Sequence, residues 1–277
     1  MTVASSNRVP VLMYHEIADT TATSSPLAVA PGVFADQMAY LRQAGFNTLT
    51  AGELAAFLAD GVGTLPERPV VLTFDDGYQD FHSHGLPVIR QNGFTATLFM
   101  TTGGIGDENS EKMMLNWREL AEIEQAGIEI GAHTVTHPKL DILPETDVRE
   151  ELAVSKSQLE EHLGRAVPGL AYPFGYSNEK VREVARELGY AYAYSVNNAM
   201  TTSAAGKFTF PRLTVQRTTT LGGFTAMVNG RDTVAVRRDR MISTLSPVVR
   251  RARSTVGLER QPEWYRDAKA RMRNQQR

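Results

Sequence analysis

Two neighbouring carboxylates, Asp75 and Asp76, stand at the end of a strongly apolar run, PVVLTF at 69–74. Two histidines, His133 and His137, leave another apolar segment in the stretch AHTVTHPKL, and His15 ends a third, VPVLMYH at 9–15. Adjacent acids repel and lose solvation when buried, so the pair either caps a turn or faces something positive. The chain has no cysteine, so a metal would have to rest on His, Asp or Glu. Two histidines and one carboxylate with open positions form a common catalytic metal set. The histidine spacing is not that of a helical H-E-x-x-H site. Val135 and Thr136 intervene, no Glu follows His133, and Pro138 follows His137. That context predicts a strand-to-loop exit.

Such residues need elements that deliver them to one place. Short apolar runs recur at 9–15, 46–50, 69–74, 95–102, 128–133, 169–174, 192–196 and 208–215. Most are apolar at consecutive positions, which predicts parallel strands buried on both faces. Amphipathic segments between them close on glycine: FADQMAYLRQAG at Gly45, AGELAAFLADG at Gly61, NWRELAEIEQAG at Gly127, SNEKVREVARELG at Gly189. A helix C-terminus favours glycine, and Ser177 or Asn178 supplies an N-cap for the last of these. A longer segment, PETDVREELAVSKSQLEEHLG, opens with Pro144. Strand–helix alternation predicts βαβ crossovers, hence an α/β barrel or an open doubly wound sheet. In both, functional residues gather at the carboxyl ends of the strands. His15, the Asp pair and His133 all lie at such ends. No phosphate-binding loop follows a strand, since TTGGIGDEN lacks the spacing of a dinucleotide fingerprint.

TFDDG at 73–77 and HTVTH at 133–137 together resemble two motifs of the polysaccharide deacetylases, carbohydrate esterase family four. The resemblance runs over residues 9–215 and implies a distorted, incomplete (β/α) barrel of about seven parallel strands. It also implies metal-dependent removal of an acetyl group from a sugar. Asp76, His133 and His137 would bind one divalent metal, zinc by preference with cobalt or nickel as substitutes. Asp75 would be the general base that takes a proton from metal-bound water. The start VLMYHEI resembles the branch acting on exopolysaccharides such as poly-N-acetylglucosamine, where the histidine corresponding to His15 is the acid.

The chain departs from the family pattern twice. LAYPFG places Ala171 where many members have an arginine that orients the base; Arg212 in FPRLTV, expected near a strand end, is the candidate substitute. The usual late histidine is missing, with Gln216 in that region, which leaves His15 as the proton donor by elimination. Tyr172 and Phe174 belong to the segment that the resemblance assigns to the oxyanion and substrate. Trp117 in LNWREL is a candidate for sugar stacking.

Composition places these readings in an ordinary globular chain of 277 residues, 42% hydrophobic and 22% charged. Residues 1–230 read as the catalytic domain and 231–277 as a basic extension, helical or partly disordered. The extension has 13 Lys/Arg against 5 Asp/Glu in a chain of net charge −2. Such a tail suits a membrane surface or a partner in a synthesis complex; nucleic acid is not expected. The apolar run at 9–14 is too short for a signal-peptide core and no later segment approaches a span. The expectation is a cytoplasmic protein, membrane-associated through its tail, or an exported one whose leader has been trimmed. The expected function is an N-deacetylase of an N-acetylated amino sugar or glycan. Its rivals are a hydrolase of a non-sugar amide on the same scaffold and a non-catalytic glycan-binding subunit.

Overall fold

The computed structural model describes residues 8–106 and 113–231, with Arg237, Arg238 and Met241. The remainder of the 231–277 extension lies outside the described residues. Eight strands form: β1 (Val11–Tyr14), β2 (Asn47–Leu49), β3 (Pro69–Phe74), β4 (Thr97–Met100), β5 (Glu129–Ala132), β6 (Gly169–Ala171), β7 (Tyr192–Tyr194) and β8 (Leu213–Thr214). Each falls inside one of the apolar runs. The helices are α1 (Pro31–Gln43), α2 (Ala51–Asp60), α3 (Leu86–Gln91), α4 (Trp117–Gln125), α5 (Glu145–Leu163), α6 (Glu179–Glu187) and α7 (Leu221–Val228).

All strand pairs are parallel, in the order β7-β6-β5-β4-β3-β1-β8, with β2 beside β3 off that path. The sheet is an open, curled half-barrel, seven strands along its path, with helices packed on its outer face except α2, whose Ala51, Leu54 and Ala55 join the core of the inner face. Side chains alternate along each strand, so each run contributes to two cores. Leu12, Tyr14, Val70, Leu72, Phe74, Leu98 and Leu170 pack against the helices. Val11, Val71, Phe99, Ala171, Tyr192 and Tyr194 fill the other face, inside the curl. Full burial of such side chains contributes about 1.5–3 kcal/mol each.

Local signals set the helix ends. Thr50 and Asn116 each form a reciprocal capping box, with Glu53 and Glu119, at the starts of α2 and α4. Asn178 caps α6 through Val181 N–H. α2 and α5 close on Gly61 and Gly164. No described helix is long and apolar enough to cross a membrane.

The run at 208–215, expected as one strand, is divided. Its first part bonds to β7: Ala193 N–H donates to Lys207 carbonyl, and Phe210 N–H to Ala193 carbonyl. Its second part, β8, pairs with β1. Pro211 lies between them and has no N–H to give to either ladder. The segment thus reaches across the two ends of the open sheet, and Arg212 is carried at the join. Two helices escape the sequence reading. A single π-helical turn, Phe81–Gly85, leads into α3, and α7 follows a Thr220 cap. Both are short, and α7 contains two glycines in its first turn, which blunts the helical signal.

Candidate metal centre and active site

Alternation aims the strand ends inward. Asp75 continues the parity of Val71, and His133 lies one residue beyond the end of β5. Asp75 N–H still donates to Tyr14 carbonyl at 3.0 Å, so its position is set by the ladder. The chain then turns: Asp76 has φ +75°, a left-handed conformation that Asp tolerates better than most residues. Consecutive carboxylates thereby point in different directions.

Asp75 is 2% exposed and meets a fully buried Arg212. Arg212 Nη1 and Nη2 donate to Asp75 Oδ1 and Oδ2, both at 2.7 Å, a bidentate pair. The guanidinium is itself held, with Nη1 donating to Thr73 Oγ1 at 3.2 Å and Nε to Ser195 carbonyl at 3.3 Å. Phe99 lies 5.5 Å beneath it. Burial alone would push the Asp75 carboxyl up; Arg212, then His133 and His15, outweigh it and bring its pKa to about 2. Asp75 is therefore an anion at neutral pH.

Asp76, His133 and His137 form the second cluster, each offering a ligand atom within 4.8 Å of the others. His133 Nδ1 donates to Ala171 carbonyl at 2.8 Å. A carbonyl only accepts, so the proton sits on Nδ1 and the Nε2 lone pair is free for a ligand. His133 Nε2 lies 3.5 Å, and His137 Nε2 3.4 Å, from the same oxygen, Asp76 Oδ1. That oxygen is buried and has no hydrogen-bond partner. Burial lowers the His137 pKa to about 4 despite the nearby Asp76 carboxylate, which keeps the ring neutral. A tetrahedral zinc with bonds of about 2.1 Å would separate neighbouring ligand atoms by about 3.4 Å. The three donors therefore fit a divalent cation, and the orphaned Asp76 oxygen is what it would satisfy.

His15 follows the inward parity of Val11 and Met13. It is half-buried, and its Nδ1 is buried without a partner. Burial lowers its pKa, opposed by Asp76 and Asp75 and reinforced by Arg212 and His133, so all four are near enough to act on it. The other histidines are engaged elsewhere. His82 meets Glu122 at 3.0 Å, His84 meets Ile17 carbonyl at 2.9 Å, and His162 stacks on Trp117.

Residues 62–193 match the family described as polysaccharide deacetylase. A Bacillus subtilis protein, YxkH, provisionally named a polysaccharide deacetylase, is 30% identical over 75% of this chain and 71% of its own length. The chain belongs to the polysaccharide deacetylase family. A Staphylococcus aureus member, named poly-beta-1,6-N-acetyl-D-glucosamine N-deacetylase, is 25% identical over 68% of each chain. The solved structure of IcaB from Ammonifex degensii superposes with a TM-score of 0.70 at 28% identity, covering 80% of this chain and 97% of that one.

Against this polysaccharide deacetylase background, the remaining candidate residues separate. Tyr172 has the opposite parity: its side chain is fully buried on the helix side, and its N–H donates to Tyr194 carbonyl. Neither can face an oxyanion, which corrects the expectation for Tyr172. Within the same turn, Gly175 N–H goes to Tyr172 carbonyl and Tyr176 N–H to Pro173 carbonyl, and Pro173 has no N–H. Among the described residues, that leaves the N–H of Phe174 without an acceptor. Phe174 is 41% exposed, has φ +59°, and its ring meets His137 edge-on at 4.6 Å. Trp117 stacks flat on His162 at 3.6 Å, joining α4 to α5. It is not among the side chains gathered at the strand ends. The sequence reading also missed Tyr78, whose hydroxyl bonds to Asp76. Its position directly after DDG was the available signal.

Proposed function

We propose that this polysaccharide deacetylase is a metal-dependent hydrolase that removes acetyl groups from an N-acetylated amino sugar polymer. Poly-β-1,6-N-acetylglucosamine is the favoured substrate class, in line with the named activity of the Staphylococcus aureus relative. The observation that carries the reading is the division of labour between adjacent acids. Asp76 Oδ1 lies 3.4–3.5 Å from both imidazoles, while Asp75, 3.9 Å from His133 Nε2 alone, has both its oxygens clamped by Arg212.

Asp76, His133 and His137 would hold the cation, which supplies Lewis acidity and lowers the pKa of a coordinated water to about 7. Asp75 accepts a proton as the oxygen of water adds to the acetamide carbon. Arg212 keeps Asp75 ionised and fixes its plane, at the cost of some basicity. The Phe174 N–H donates to the developing oxyanion. As the C–N bond breaks, the proton that Asp75 took from water passes by way of His15 to the departing nitrogen; burial holds His15 neutral until then, and its conjugate acid gives the proton up readily. The products are acetate and a free amine. The exposed Phe174 ring, beside His137, supplies an apolar face for a sugar.

The test is acetate release by the zinc-loaded chain from poly-β-1,6-N-acetylglucosamine oligomers, chitin oligomers and a non-sugar acetamide. Acetate from the sugar polymers is expected. Turnover of the non-sugar amide alone would favour a different amidohydrolase, and oligomer binding without acetate would favour a glycan-binding subunit.

A further inference from the structure

Glu151 is an acid on the buried face of α5, 1% exposed, aligned with Val148, Leu152, Ser155 and Leu159. A carboxylate in that setting needs donors, and it finds them in the loop between the two histidines. Glu151 Oε2 accepts from Val135 N–H and from Thr136 N–H, both at 2.9 Å. Glu151 Oε1 accepts from the Thr136 hydroxyl at 2.5 Å. Val135 and Thr136 are 2% and 6% exposed, so water could not readily replace that acceptor.

The loop has reason to need a clamp. Thr134 and His137 both lie in the left-handed region, at φ +68° and +53°, and neither is glycine. Such conformations persist only where the surroundings over-determine them. The carbonyls of Thr134 and Val135 are held from the β4 side by Thr102 and Gly103 N–H, at 3.1 and 2.8 Å. Thr134 Oγ1 accepts from His137 N–H at 3.0 Å. Glu151 supplies the opposite jaw by taking the loop's N–H groups. With His133 fixed by β5 and Ala171, the position of His137 depends on this loop.

We propose that Glu151 is a positioning residue for the metal centre: through the Val135–Thr136 backbone it sets where His137 stands, and hence how tightly the site binds a divalent cation. This rests on the reading of Asp76, His133 and His137 as metal ligands. Outer partners of metal ligands typically account for about 10–100-fold in affinity.

The test is zinc affinity of the full chain, measured by competition with a chromophoric chelator, with unfolding midpoints recorded for the metal-free forms. Glu151→Asp keeps the charge but withdraws the carboxylate by one methylene; it is expected to weaken zinc binding about tenfold or more. Glu151→Gln keeps an acceptor at the same reach, and its amide can donate to the Thr136 hydroxyl, so affinity should stay within about threefold of wild type. Leu152→Ala, a neighbour facing the helix-side core, should lower the unfolding midpoint and leave zinc affinity unchanged. Wild-type affinity in Glu151→Asp would overturn the inference, as would equal losses in all three variants. Failure of the unmodified chain to bind zinc would instead overturn the metal-site reading itself.

Discussion

Asp75 is dry, ionised and held by both arms of a guanidinium, conditions that suit a base needing fixed geometry more than high basicity. Asp75→Asn should retain zinc and lose about 10²–10⁴ in turnover, the usual range for a general base. Metal content and acetate release measured on one preparation check this; ordinary turnover would refute the role. Removing one partner of a buried pair costs about 3–5 kcal/mol, because the other charge is left uncompensated. Arg212→Met should therefore destabilise the metal-free chain at pH 7. The folded Asp75 pKa of about 2 lies below its ordinary 3.8, so the pair's contribution is present above that range and lost as pH falls through about 2. In Arg212→Met, burial without a counter-charge pushes the carboxyl up, and its protonation in acid relieves the penalty. Denaturant unfolding at pH 7 and pH 4 should show the difference from wild type shrinking; an equal penalty at both would contradict the account. His15→Ala should lose about 10²–10⁴ on the acetamide and much less on an activated aryl acetate, whose leaving group needs no proton. Equal losses on the two substrates would remove His15 as the acid.

Among the elements, what was legible in the sequence is what period two and strand ends can encode. The apolar runs mark all eight strands, and alternation along them explains why His15, Asp75 and His133 share one face. Less legible are features that depend on where hydrogen bonds go. Tyr172 and Phe174 look equivalent in LAYPFG, yet Phe174 retains an unused N–H while that of Tyr172 goes to Tyr194 carbonyl on β7. The division of 208–215 follows from Pro211, whose effect could be seen only once both sheet ends were placed. Glu151 could have been flagged as an acid on the apolar stripe of a long helix, but its loop partners are long-range in effect. Gly175 tests the turn. It has φ +73°, and an added Cβ would lie 2.4 Å from Val196 backbone nitrogen. Gly175→Ala should shift Phe174 N–H and cost up to about 10²–10³ in kcat, with zinc affinity kept. Unchanged kcat would dismiss that N–H as the oxyanion donor.

At the scale of the whole molecule, the half-barrel brings residues from six chain segments to one mouth: 15, 75–76, 133–137, 174, 195 and 212. No local stretch contains the site, and the two family motifs show its presence without showing that Arg212 fills the place left by Ala171. The long separation between Asp75 and Arg212 makes their pairing a product of tertiary fold, invisible to motif spacing. The central claim is that one cation, held by Asp76, His133 and His137, enables sugar deacetylation by this chain. It is tested most directly by following acetate release from poly-β-1,6-N-acetylglucosamine oligomers as zinc is returned to chelator-stripped protein. Release should be absent from the stripped chain and rise to a plateau at one zinc per chain. Full release without metal, or none at any zinc loading, would contradict it.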